Sequence, residues 1–151
     1  MRSRKPLALA AVVGVAAVVA GYLALRSPAT GRIDPADAAL VAEGRTVYDR
    51  HCASCHGMAL QGQFDWRTRK PDGRLPAPPH DASGHTWHHP DEMLFGMVKH
   101  GLGPYAPAGY ESDMPAYGET LSDRQIWAVL SHIASTWPDQ IRRRRETAAR
   151  Q

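Results

Sequence analysis

The chain opens on an uninterrupted apolar run, Leu7 to Leu25, preceded by Arg2, Arg4 and Lys5. At about 1.5 Å per residue, a helix over this run covers roughly the 30 Å hydrocarbon core of a bilayer. Basic residues ahead of such a run keep the N-terminus cytoplasmic, so the chain after Leu25 faces outward. Residues 1–26 therefore read as an N-terminal signal-anchor, a single transmembrane helix. The competing reading is a cleaved signal peptide, with Val18-Val19-Ala20 as a poor cleavage site. The apolar stretch continues past it through Tyr22, Leu23 and Leu25, which favours the anchor. No cysteine lies near the run, which excludes a lipoprotein.

Beyond it the period changes. Residues 27–33 (S-P-A-T-G-R-I) carry turn formers and read as a linker. Asp34-Pro35 then predicts a helix start, with Asp as cap and Pro at the first helical position. Leu40, Gly44, Val47 and Tyr48 recur at helical spacing on one face. Gly44 costs about 1 kcal/mol against Ala inside a helix. Its simplest use is to admit the last helix closely, opposite Ile126, Val129 or Leu130. From Gly57 to His89 no periodicity is sustained, and Leu75-Pro76-Ala77-Pro78-Pro79 must be extended. Pro90, at a first helical position, opens a second helix that turns Met93, Leu94, Met97 and Val98 inward and stops at Gly101. A further Gly/Pro-rich loop follows to Gly118. In the last helix, Ser122 and Gln125 form a capping box flanked by a Leu121–Ile126 staple. Ile126, Val129, Leu130 and Ile133 line its buried face, and Trp137-Pro138 ends it. Nothing reads as a strand, and the fold class is all-α.

Charge changes the picture less than it first promises. The formal net charge of +3 would suit a nucleic-acid partner, but the basic residues sit at the ends. Residues 34–137 hold 8 basic and 13 acidic side chains, so no nucleic-acid footprint remains. Arg142 to Arg145, in a basic C-terminal segment over residues 138–151, read most simply as a solvated tail.

The candidate chemistry lies where the first helix ends. Cys52-Ala53-Ser54-Cys55-His56 is C-x-x-C-H, the spacing for covalent attachment of a c-type haem. Two thiols so spaced match the haem's two vinyl groups, and the following histidine is delivered to the iron as proximal ligand. A zinc site would want two more Cys or His at ligand spacing, and a thioredoxin-like redox pair would want a βαβ context. The chain contains only these two cysteines. A haem also gives the long loop something to wrap around.

Together with Ser112-Asp113-Met114-Pro115-Ala116-Tyr117-Gly118 and Leu121-Ser122-Asp123-Arg124-Gln125-Ile126-Trp127, the motif makes residues 34–137 resemble a class I cytochrome c domain. The resemblance implies three to four helices wrapped around one covalently bound haem c. It implies Cys52 and Cys55 as thioether attachments, His56 as proximal ligand, Met114 as distal ligand, and a carbonyl of Pro78 or Pro79 orienting the proximal imidazole. Gly44 and Tyr48 match the glycine and aromatic of the family's first helix. The chain departs from the pattern in its His-rich segment (His80, His85, His88, His89) and in the length of its Trp66–Arg74 loop. The nearest subgroup is the membrane-anchored, single-haem bacterial cytochromes that carry electrons to respiratory complexes.

The other methionines suit the iron less well. Met58 follows His56 too closely to reach the opposite face, whereas Met93 and Met97 share a helical face with Leu94 and Val98. Trp66, Arg74, His85 and Trp87 are candidate contacts for the haem propionates, since buried carboxylates need donors. The adjacent His88-His89 pair suggests copper only if a third ligand joins it. A His/Met-ligated iron has no open position and exchanges single electrons. The expected protein is an electron carrier rather than an enzyme. It sits in the cytoplasmic membrane with its haem domain in the periplasm, as a monomer or complex subunit serving redox partner proteins. Rival readings are a fixed electron-entry subunit of a dehydrogenase or oxidase, a haem sensor or peroxidase-like enzyme with displaceable Met114, and a copper-handling protein.

Overall fold

A computed structural model of the protein describes residues 31–148. Helix α1 spans Ala38–His51 and buries Leu40, Gly44, Val47 and Tyr48, the face expected from the spacing. Its cap is Asp37, whose carboxylate accepts the N–H groups of Ala39 and Leu40. The expected start at Asp34-Pro35 is corrected by a long-range contact. Asp34 donates its own N–H to Ser131 Oγ at 2.9 Å, and its carboxylate turns to the N–H of Ala36. The chain is thus fastened to a distant helix before α1 begins, and the cap passes to the next aspartate.

A one-turn helix, α2 (Ala53–His56), follows with only Cys52 between. The N–H of Cys52 still bonds Tyr48 O at 2.9 Å, so the C-x-x-C-H motif leaves α1 without an intervening loop. The loop from Gly57 onward carries a single 3₁₀ turn, Thr86–His88, before α3 (Asp91–His100). Pro90 caps α3 instead of occupying its first turn, where Asp91 and Glu92 face the positive end of the helix dipole.

Helix α4 (Asp123–Ser135) has the expected capping box: Ser122 Oγ accepts from Gln125 N, and Gln125 Oε1 accepts from Ser122 N. Leu121 and Ile126 are both buried, as a staple requires. The helix is buried well beyond that stripe, with Trp127, Ala128, Ser131 and Ala134 enclosed as well. It crosses α1 at Gly44. A Cβ there would lie 1.9 Å from Ala128 O and 2.9 Å from His132 Cβ, so only glycine permits the approach. The facing residues are thus Ala128 and His132 rather than Ile126, Val129 or Leu130.

The expected solvated tail is corrected more substantially. Residues Asp139–Ala148 form α5, which packs back on the 3₁₀ turn. Arg145 donates to Trp87 O at 3.2 Å and His89 O at 2.7 Å, pairs with Asp91, and lies over the Trp137 ring. Its side chain is only 14% exposed. Carbonyls freed where the 3₁₀ turn ends supply its acceptors, and Arg142 similarly bonds Ser135 O at the end of α4. Arg143 and Arg144 do face solvent. Among the described residues there is no strand, and no helix is long and apolar enough to cross a membrane. The Leu7–Leu25 run lies outside the described residues.

Candidate haem-binding site

The motif is held at its base by Tyr48, whose hydroxyl donates to Gly57 O at 2.9 Å, on the far side of the two cysteines. Cys52 is half-buried and Cys55 exposed, and neither is in a disulfide. Burial pushes the Cys52 thiol up to about 11, with Cys55 adding to the effect.

His56 is buried, and its Nδ1 lies 2.9 Å from Pro78 O, which decides between the two prolines. The polyproline stretch is extended by its fixed φ angles, and so carries that carbonyl to the ring. Burial lowers the His56 pKa, opposed by the Pro78 bond. The favoured form is a neutral imidazole with its Nδ1 proton on the carbonyl. Its Nε2 lone pair is then available to a metal, and the carbonyl raises its basicity.

His80, read from the sequence only as part of the His-rich segment, supports this ring. The two imidazoles stack at 4.0 Å between centroids, tilted by 23°. His80 is fixed in turn by Thr86 Oγ1 at 2.8 Å from its Nδ1 and by Trp137 Nε1, which donates to its carbonyl. Desolvation, then the neighbouring His56 and His85, hold His80 well below the usual histidine range. The available signal was its position directly after Pro79, beside the carbonyl that His56 needs.

Met114 is partly buried, in a loop whose start is turned by Ser112 Oγ accepting the Met114 N–H. On its C-terminal side the loop is tied to two helices. Tyr117 N and Gly118 N donate to Val98 O and Lys99 O at the end of α3, and Tyr117 Oη donates to His51 O at 2.7 Å. That last bond joins the methionine loop to the residue preceding Cys52. Met58, by contrast, is 70% exposed.

The residues suit a haem in two respects. His56 offers one engaged and one available nitrogen. Two buried polar atoms, Trp87 Nε1 and His85 Nδ1, have no hydrogen-bond partner, as donors awaiting a propionate would. Trp66 stacks on His85 at 5.3 Å, so three of the four expected propionate contacts gather on one segment pair. Arg74 does not join them. Its guanidinium is committed to Glu111 and Asp113. Among the described residues no three His, Cys, Asp or Glu side chains are grouped to hold a metal ion, so His88-His89 gains no third ligand.

Comparison with known proteins points the same way. The sequence profile of the family described as cytochrome c matches residues 41–137. The chain is 35% identical over 98 residues to the Cbb3-type cytochrome c oxidase subunit CcoP of Azospirillum sp. (strain B510), a match covering 65% of this chain and 29% of that protein. The chain therefore spans under a third of that relative's length. It is 30% identical over 105 residues to cytochrome c-555 of Prosthecochloris aestuarii, covering 63% of this chain and 86% of that one. No solved structure matches significantly.

Proposed function

Because the chain belongs to the cytochrome c family, with haem c bound covalently through the Cys52–His56 motif, we propose that it carries single electrons through an iron ligated by His56 and Met114. The observation that carries this reading is the buried His56 held by Pro78 O, with the Met114 loop tied to the same helix end through Tyr117. When bound, the haem supplies a one-electron couple, and a methionine ligand raises its potential. The chain's own residues do the rest. Cys52 and Cys55 anchor, Pro78 fixes the tautomer and direction of the proximal ring, and His80 packs behind that ring. Trp87 and His85 offer donors to the propionates.

The setting we favour is the outer face of a bacterial cytoplasmic membrane. The Leu7–Leu25 run serves as a single-pass anchor, the haem domain lies in the periplasm, and the partners are respiratory complexes. A fixed subunit of one oxidase is the second reading, because one relative is named as a cytochrome c oxidase subunit.

The ligand set is tested spectroscopically. The oxidised protein is expected to show the weak methionine-sulfur-to-iron charge-transfer band. Met114→Ala should lose that band and become able to bind CO. An unchanged spectrum in the variant would move the sixth ligand to a histidine. Carbonate washing of membranes tests the anchor, since a protein released to the soluble fraction with Leu7–Leu25 removed would be a diffusing carrier. What co-purifies from gently solubilised membranes separates a shuttle from a fixed subunit.

A further inference from the structure

The Trp66–Arg74 loop, one of the two departures from the family pattern, grips the methionine loop. Asp113, the residue before Met114, has its two oxygens taken by different cations. Lys70 Nζ lies 2.5 Å from Oδ2 and Arg74 Nη1 lies 2.7 Å from Oδ1. Arg74 reaches further with Nε and Nη2, at 3.2 and 3.1 Å from Glu111 Oε2. Arg69 lies over the Tyr110 ring, 5.7 Å from its centroid. The gripping side is itself a tight turn. Lys70 N bonds Arg74 O, Gly73 N bonds Lys70 O, and Asp72 accepts the Arg74 N–H while pairing with Lys70. Both cations are thus presented from one short, internally bonded segment.

The two halves of the methionine loop are held by different forces. After Met114, neutral hydrogen bonds run from Tyr117 and Gly118 to α3 and α1. Before it, the ties to the Trp66–Arg74 loop are ionic and exposed. A thioether is a weak, displaceable ligand, so its occupancy depends on how far the loop carrying it is pinned. We propose that Lys70 and Arg74 are positioning residues for the sixth ligand, an electrostatic clamp that keeps Met114 seated and sets how readily another ligand displaces it. The inference rests on Met114 being that ligand.

One exposed ion pair shifts an equilibrium by roughly 1.5- to 5-fold, so a network of three should shift it by roughly 3- to 100-fold. The clamp should also weaken as the screening length falls from about 30 Å at 0.01 M salt to about 3 Å at 1 M. The test is imidazole binding to the oxidised, haem-loaded, full-length protein, followed by the loss of the methionine charge-transfer band. At low salt, Lys70→Ala/Arg74→Ala should bind imidazole roughly tenfold tighter than wild type. Salt should raise the wild-type affinity towards that of the variant while leaving the variant nearly unchanged. Asp113→Asn is a second, isosteric probe, expected to fall between them. Equal affinities in wild type and both variants at low salt would overturn the clamp. Met114→Ala, run in parallel, separates the two levels. If it binds imidazole more tightly and the charge variants do not, the ligand stands and the clamp falls. If it keeps the wild-type spectrum and affinity, ligand and clamp fall together.

Discussion

A histidine following two cysteines becomes a useful iron ligand only if one nitrogen is engaged and the ring cannot turn. Here the engagement is Pro78 O, 22 positions on, and the packing is His80, 24 positions on. Tyr117 ties the Met114 loop to the end of α1, since its hydroxyl donates to His51 O. Tyr117→Phe keeps the ring and removes that bond, and should cost about 1 kcal/mol. A thermal melt should read the loss, with a weaker charge-transfer band if the bond also positions Met114. The attachment residues were legible because C-x-x-C-H is local in sequence and its chemistry dictates its spacing. The place of Arg74 was not legible, for the opposite reason. Its partners, Glu111 and Asp113, lie 37 and 39 positions on, and nothing near Arg74 announces them.

Among the elements, α1 and α4 carry the design, and their crossing turns on one missing side chain. Gly44→Ala would bring a methyl onto the Ala128 carbonyl, backbone that can yield only by separating the helices. Overpacking of this kind typically costs about 1–3 kcal/mol, and Gly44→Val should cost more than Gly44→Ala. Melting of either variant at the wild-type temperature would place the crossing elsewhere. His132 lies in the same crossing, 5.6 Å from the Tyr48 ring. Desolvation, then the Arg45 charge, lower its pKa, with Asp49 opposing. The unfolded chain therefore takes up a proton before the folded one does. Stability should be full above the ordinary histidine pKa of about 6.5 and fall as pH drops below it. His132→Gln should make that slope shallower between roughly pH 7 and 5 in chemical denaturation. The buried faces and the capping box were readable from helical spacing. The start of α1 was not, because Ser131, 97 positions away, takes the N–H of Asp34 and leaves the cap to Asp37.

At the scale of the molecule, charge does structural work that composition concealed. The basic C-terminal segment looks like a tail when residues are counted, yet Arg145 is one of the better-enclosed cations. Arg145→Ala would leave the Trp87 and His89 carbonyls and the Asp91 carboxylate without this donor. We expect a loss of about 1–3 kcal/mol in a denaturant melt. Arg144→Ala, on the exposed face of the same helix, should be near neutral and serves as control. If both variants unfold alike, α5 is ornamental to stability.

Asp91 has a second partner, and this bears on how the domain carries load. Its Oδ2 accepts the N–H of Ile33 at 3.0 Å, one residue before Asp34 bonds Ser131. Under the proposed tethering, any pull from the membrane side arrives at residue 33. There it is taken up by α3 through Asp91 and by α4 through Ser131. Helix α1, which runs directly into Cys52, stands behind those two bonds and bears no tension until both have sheared. Drag on the domain is thereby diverted from the haem attachment into the helices that flank it, a mechanical shield built from two hydrogen bonds.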